Sequence, residues 1–363
     1  MTMKYEIDSL LDKKVFPAVS IILPIHPQFP DIKLDSEHMI SVLKNIENQL
    51  NGRYGLKRTE LMIQKVKKVI STIETKHLLK SLLIYVSPET EKVISLPYSV
   101  EEKIVIDSSF EVRDLIFAAQ KNEKYLLVII SQKSVKTFNG NLFELIPIEF
   151  PDMPANVQDV SNEHSFPGLD YLDSKAFDEK NLHNYLRFID DVLEKSLKQN
   201  DIPVVIMGNV KILGYFRRFT QNTKRIIGYV EGNYEHLSLP EIRSKAETII
   251  QNKIFEGEER AISELQEAVN ANKYNAGITE VWRSAVEGKG RLLLVEKDYS
   301  VRARRGVDEY TIYPDNSETN LHNVLSDAVD DIIELILKKN GEVVFVDNGK
   351  LKSFERIALI NRY

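Results

Sequence analysis

Two groups of basic residues have the types and spacing to do chemistry in this 363-residue chain. Arg302, Arg304 and Arg305 follow a strand-like pattern over Ser300 to Arg304, in which the two even-numbered arginines point to one face, and Lys289 and Arg291 lie a little upstream. Arg217, Arg218, Lys224 and Arg225 form the second group, interleaved with Tyr215, Phe216 and Phe219. Guanidinium groups beside aromatic rings are the pairing that contacts RNA phosphates and stacks on unpaired bases. The competing structural role for either group is a charged strand edge that blocks aggregation. Lys289, Arg291, Arg302, Arg304, Arg305, Arg217 and Arg218 are therefore the candidate RNA-binding residues.

Other chemistries find less support. The chain has no cysteine, which excludes disulfides, a thiol nucleophile and cysteine-bound metal, and suits a reducing compartment. The histidines (His26, His38, His77, His164, His183, His236 and His322) show no pair at metal-ligand spacing, so they read as surface or structural residues. His164, beside Glu163 in a long loop, reads as a solvated loop residue. The carboxylate neighbours Asp190-Asp191 and Asp330-Asp331 fall on predicted helices, where adjacent residues do not share a face, so solvated helix faces are expected. There is no phosphate-binding Gly-rich loop, dinucleotide fingerprint or nucleophile elbow. Gly288-Lys289-Gly290 reads as a tight turn after a helix end. No metal and no cofactor are expected.

The elements that must position these residues follow from apolar periodicity. The hydrophobic fraction is 43% and the charged fraction 28%, enough for well-built cores without metals or disulfides. The formal net charge of −6 means that any contact with nucleic acid must come from a local basic face. Met1 to Leu11 lacks a secretory pattern, and no apolar run approaches the roughly 18 residues of a membrane span, so a cytoplasmic protein without membrane contact is expected.

Three blocks emerge: a divergent N-terminal α/β domain over 1–120, a middle domain over 121–256 and a C-terminal α/β/α sandwich over 257–363. In the first, the strand Val19–Leu23 precedes two helical stripes, three strands and a short helix over Phe110–Ala119. In the second, Tyr125–Ile130 is a central strand, continued by a meander with a turn at Asn139-Gly140-Asn141. A long loop from about Phe150 to Lys175 carries no recognisable catalytic motif. Leu182 to Leu197 marks an amphipathic helix, and Ser238-Leu239-Pro240-Glu241 is a capping box that starts another. In the third, Ile262, Leu265 and Val269 mark a helix, as do Ile278 to Ala285. Leu321, Leu325, Ala328, Ile332 and Ile336 form a further helical stripe. Alternating strands and helices imply three-layer α/β architecture.

Four segments, in order, resemble one family. They are Ala18–Pro24, the hairpin Tyr125–Ser131 with Val135–Gly140, the pair Ala285–Gly288 with Arg291–Val295, and the ending Ile357–Tyr363. The chain resembles the bacterial relatives of archaeo-eukaryotic peptide-release factors and Pelota over nearly its whole length. The resemblance implies a ribonuclease-H-like middle domain and a C-terminal domain like the kink-turn-binding ribosomal proteins. It also implies a ribosome-facing role, with rRNA or tRNA contacts and a possible translational GTPase partner. In that family a Gly-Gly-Gln loop reaches the peptidyl-transferase centre, its glycines allowing close backbone approach. This chain has no Gly-Gly-Gln: between Pro151 and Ser174 stand one glycine, Gly168, and one glutamine, Gln158. Nor does it match the family's Asn-Ile-Lys-Ser motif for stop codons.

The leading expectation is a non-catalytic ribosome-associated factor acting in rescue, hibernation or stress. One alternative is an RNA- or nucleotide-processing enzyme built on the middle domain. The strands Tyr125–Ile130 and Pro203–Met207 lack the acidic residues such chemistry would use. A protein-binding scaffold is the other alternative.

Overall fold

The computed structural model describes residues 3–11, 16–26, 31–73, 79–122, 124–141, 144–161, 174–198, 202–234, 236–315 and 324–363. They fold into two compact units, one joining residues 1–120 to residues 260–363 and the other holding residues 121–259.

The first unit begins with α1 (Met3–Leu11), β1 (Ala18–Pro24), α2 (Asp31–Tyr54), α3 (Leu56–Ser71), β2 (Ser81–Val86), β3 (Glu91–Leu96), β4 (Lys103–Asp107) and α4 (Arg113–Lys121). Its strands pair antiparallel in the order β3-β2-β1-β4. Strand side chains alternate between faces, and this sheet is apolar on both. Val19, Ile21 and Leu23 of β1 pack with Ile46 and Leu50 of α2 and Val66 of α3. The intervening Ile22, with Leu83 and Tyr85 of β2, enters a second core.

The second unit follows with β5 (Tyr125–Ile130), β6 (Val135–Gly140), β7 (Leu145–Ile148), α5 (Val157–Ser161), α6 (Ser174–Leu197), β8 (Val204–Gly208), α7 (Val210–Phe219), β9 (Ile226–Glu231) and the start of α8 (Leu239–Asn270). Its five strands run β7-β6-β5-β8-β9, antiparallel through β7, β6 and β5, then parallel through β8 and β9. Leu126, Val128 and Ile206 face Leu186 and Ile189 of α6 and Phe216 of α7. Leu127, Ile129 and Met207 face Ile242, Ala246 and Ile250 of α8. Helices thus cover both faces of a mixed sheet, which accounts for the near-continuous apolar runs of β5 and β8.

The chain returns to the first unit with the end of α8, then β10 (Tyr274–Ala276), α9 (Ile278–Val286), β11 (Gly290–Glu296), β12 (Ala303–Arg305), β13 (Ile312–Pro314), β14 (Val324–Leu325), α10 (Ala328–Lys338), β15 (Glu342–Val346) and β16 (Ile357–Asn361). The main sheet runs β10-β16-β11-β15, with β11 and β15 parallel, and a small sheet runs β13-β12-β14. Leu292 and Leu294 face Ala261 and Leu265 of α8. On the other face Leu293 and Val295 join Trp282 of α9, Ile332 of α10, and the N-terminal residues Ile22, Leu83, Tyr85 and Leu115 in one core. The C-terminal part is thus α/β/α, and its core is continuous with the N-terminal sheet.

Polar links fix the same junction. Arg113 of α4, 5% exposed, donates from Nε to Asp330 Oδ1 at 2.7 Å, from Nη2 to Asp327 Oδ2 at 2.7 Å and from Nη1 to the Tyr299 carbonyl at 2.7 Å. The Gln120 carboxamide pairs with Phe345 of edge strand β15 like a further strand residue, donating to its carbonyl and accepting from its N–H, each at 2.8 Å.

Several local expectations are corrected. Asn139 and Gly140 belong to β6, opposite Leu126 and Tyr125, and Asn141 follows the strand, its side chain accepting from Glu144 N–H. Gly140 is there for close packing: a Cβ would stand 2.6 Å from the Tyr125 ring. The helical stripe through Leu325 begins only at Ala328, because the Asp327 carboxylate accepts from Val329 N–H and caps it; Leu325 is in β14. The capping box at Ser238 starts α8, which then runs unbroken through Gly257 to Asn270, rather than giving way to a separate helix.

Asp190 is not on a solvated face. It is buried, accepting from Thr220 Oγ1 at 2.6 Å, Gln221 N–H at 2.8 Å and Asn222 Nδ2 at 2.9 Å, while Asp191 is exposed. Asp330 holds Arg113, and Asp331 pairs with Arg305 at 3.5 Å. His77, Glu163, His164, Gly168, Leu321 and His322 lie outside the described residues.

Candidate nucleic-acid interface

The sequence groups Lys289, Arg291, Arg302, Arg304 and Arg305 together; the fold separates them. Lys289 precedes β11, just after the end of α9, where Gly288 takes φ 75°. Its ammonium contacts Glu287 Oε2 at 2.5 Å, and that hydrogen bond raises the Lys289 pKa. Arg291, on β11, donates to Glu264 Oε1 of α8 at 2.5 Å. Both charges are offset by neighbouring carboxylates.

Arg305 meets Asp331 in the first turn of α10, whereas the Gly288–Lys289 turn lies by Lys339 at that helix's other end. Eight helical residues separate those ends by about 12 Å along the axis. Only Arg304 and Arg305 are in β12, a strand of three residues, and Arg302 immediately precedes it. Arg302 is half-buried and its carbonyl accepts from Asp315 N–H. Ala303 faces the core, and Arg304 and Arg305 are exposed beside the exposed Tyr313 of β13. This small sheet presents two arginines and a tyrosine.

The second group is better organised. On α7, Ile212, Leu213 and Phe216 are buried, which turns Arg217 and Arg218 outward. The Asn209 side chain caps the helix by accepting from Ile212 N–H at 2.9 Å. Arg217 lies 4.4 Å from the Tyr229 ring centroid and 3.4 Å from Glu231 Oε1, both on β9. Burial pushes the Tyr229 hydroxyl up in pKa, and the Arg217 charge opposes the shift. Arg218 stands 5.9 Å from the Tyr215 ring and Arg187 of α6 stands 5.9 Å from that of Phe219. His183 packs edge-on to Tyr215 at 4.7 Å. Phe216, by contrast, is core. Arg187 was not among the sequence candidates, since only the packing of α6 on α7 brings it to Phe219. Its place on the polar face of an amphipathic helix was the available signal.

The same unit has a cleft of about 180 Å³ at the C-terminal ends of β5 and β8, lined by Ser131, Lys133, Lys136, Gly208, Asn209 and Asn233 among others. Ligands of open α/β sheets bind at this strand edge. Turn composition alone did not single it out. Among the described residues no group of three or more His, Cys, Asp or Glu is arranged to hold a metal ion, and no helix is long and apolar enough to cross a membrane.

These features define an α/β protein of two units with cationic-aromatic surfaces. Residues 124–289 match the model of bacterial archaeo-eukaryotic release factor family 3, so the family resemblance read from the sequence is shown over that stretch. It contains the Tyr125–Gly140 hairpin and Ala285–Gly288. No curated protein matches the chain. Among solved structures, the archaeal translation termination factor aRF1 is similar at 13% identity and TM-score 0.26, covering 99% of this chain and 97% of that one. Archaeoglobus fulgidus Pelota is similar at 11% identity and TM-score 0.36, covering 78% and 79%. The S. cerevisiae translation termination-like factor Dom34 is similar at 13% identity and TM-score 0.40, also covering 78% and 79%.

Proposed function

We propose that this chain is a ribosome-associated translation factor of release-factor descent that acts without catalysing peptide release, in rescue, hibernation or stress. The observation that carries the reading is the coincidence of a release-factor family match over residues 124–289 with the absence of any Gly-Gly-Gln. Peptide release requires backbone that closely approaches the ester and helps to hold an oxyanion. A stretch with Gln158 and Gly168 ten positions apart does not supply that arrangement.

Binding would rest on shape and phosphate contacts in the ribosomal A site. Arg302, Arg304 and Arg305 contribute from the first unit, with Arg304 and Arg305 the more exposed. Arg217 and Arg218 contribute from the second, where neighbouring rings orient them. Lys289 and Arg291 would also contribute; each, like Arg217 and Arg305, is paired with a neighbouring carboxylate. The protein would work in the cytoplasm, with a translational GTPase as a possible partner class. A release assay on ribosomes carrying labelled peptidyl-tRNA tests the non-catalytic part. The expected result is bound protein and an intact ester; peptide freed above background would overturn it.

A further inference from the structure

Within the first unit, a cleft of about 410 Å³ opens between Tyr98–Phe117 and the C-terminal residues Lys297, Asp327 and Phe345. A small pocket of about 30 Å³ adjoins it, and Val105, Glu111, Ser326 and Asp327 line both. The carboxylates lining the small pocket are Asp107, Glu111, Asp327, Asp330, Asp331 and Glu334, with no basic residue in its lining.

Most of that charge is accounted for. Arg113 takes Asp327 and Asp330, Arg305 takes Asp331, Lys338 takes Glu334, and Asp107 accepts from the Ser108 N–H at 2.7 Å. Glu111 is the exception. It is 7% exposed, and its Oε1 has no hydrogen-bond partner among the described residues. Asp330 Oδ2 in the pocket and Asp114 Oδ2 in the cleft are likewise buried without a hydrogen bond. Among the described residues the Asp114 carboxylate is ion-paired with the Lys103 ammonium, at 3.5 Å. Buried carboxylate oxygens without donors are costly, and a donor-only ligand relieves that cost.

We propose that this two-part cleft binds a small organic diamine or polyamine, one ammonium donating to Glu111 and Asp330 in the small pocket and the second lying near Asp114 in the wider cleft. A primary ammonium has three donors and no acceptor, which suits such an oxygen set. An alkyl spacer would lie along Val105 and the edge-on pair of Phe117 and Phe345, whose ring centroids are 5.8 Å apart. The wider volume falls in the range of small-ligand sites.

The titration behaviour agrees. Burial pushes Glu111 up to about 7, with Lys103 and Arg113 pulling it down and Asp327 and Asp114 pushing it up. Burial also pushes Asp331 up to about 7, opposed by Arg305 and reinforced by Asp107, Glu334 and Asp327. A cation held there favours the ionised carboxylates, so binding releases protons and tightens between pH 6 and pH 8.

Calorimetry on the full chain tests the site, with 1,4-diaminobutane and spermidine as probes and butylamine as the single-ammonium control. The expected result is one saturable site for the diamine, at least tenfold tighter than for butylamine and tighter at pH 8 than at pH 6. Glu111→Gln and Asp114→Asn should each weaken it about tenfold, with circular dichroism unchanged. No diamine binding at millimolar concentration overturns the proposal. So does equal affinity for butylamine, parent-like binding by Glu111→Gln, or capture of a lysine-rich peptide without the diamine.

Discussion

Arg113 shows how one side chain holds two distant stretches of sequence together. All three of its contacts reach residues about two hundred positions away, and at 5% exposure water does not compensate their loss. Replacing it by methionine should cost about 3–5 kcal/mol, because Asp327 and Asp330 would be left without their buried partner. Urea unfolding reads this directly, and a loss below about 1 kcal/mol would refute the clamp. Glu111 acts in the opposite sense. Its folded-state value near 7 lies above the ordinary 4.5, so the folded chain keeps a proton that the unfolded chain gives up. That contribution is present below about pH 4.5 and is lost as pH rises to about 7. Glu111→Gln should therefore stabilise the protein more at pH 8 than at pH 5. Unfolding midpoints at the two pH values check this; the same increment at both would contradict it.

Elements that owe their form to local pattern were legible in the sequence. The runs Val19–Leu23, Tyr125–Ile130 and Leu292–Val295 form strands because both of their faces are covered. Features fixed by partners remote in sequence were not. Asp190 resembles any helix-surface carboxylate until Thr220, Gln221 and Asn222 fold over it. Gly257 resembles a boundary, yet glycine in a helix interior costs only about 1 kcal/mol, which the packing of α8 tolerates. Asn139-Gly140 has turn composition, but the glycine serves the Tyr125 ring. Gly140→Ala should accordingly destabilise by about 1–3 kcal/mol through overpacking. An unchanged thermal midpoint would show that β6 has room there. At the edge of the other sheet, Gln120→Ala should cost about 1–2 kcal/mol and speed hydrogen exchange at the Phe345 amide, since that N–H loses its acceptor. The candidate interface divides in the same way: Arg217 and Arg218 were legible as a pair, whereas Arg187 joins them only through packing, and Lys289 and Arg291 are partnered by Glu287 and Glu264.

For the whole molecule, a net charge of −6 opposes general attraction to polyanions, so the proposed ribosome binding would have to be local and strongly salt-dependent. Replacing Arg217 and Arg218 by alanine should weaken binding and reduce the slope of log affinity against log salt by about one per lost phosphate contact. Arg304 and Arg305 should behave alike if the small sheet also touches rRNA. The central claim is tested most directly by centrifuging the purified protein with idle and with stalled ribosomes across a salt series. The account predicts that the protein pellets with ribosomes at low salt, is released as salt rises, and pellets less when the arginines are replaced. Protein left in the supernatant at low salt with both kinds of ribosome would contradict it.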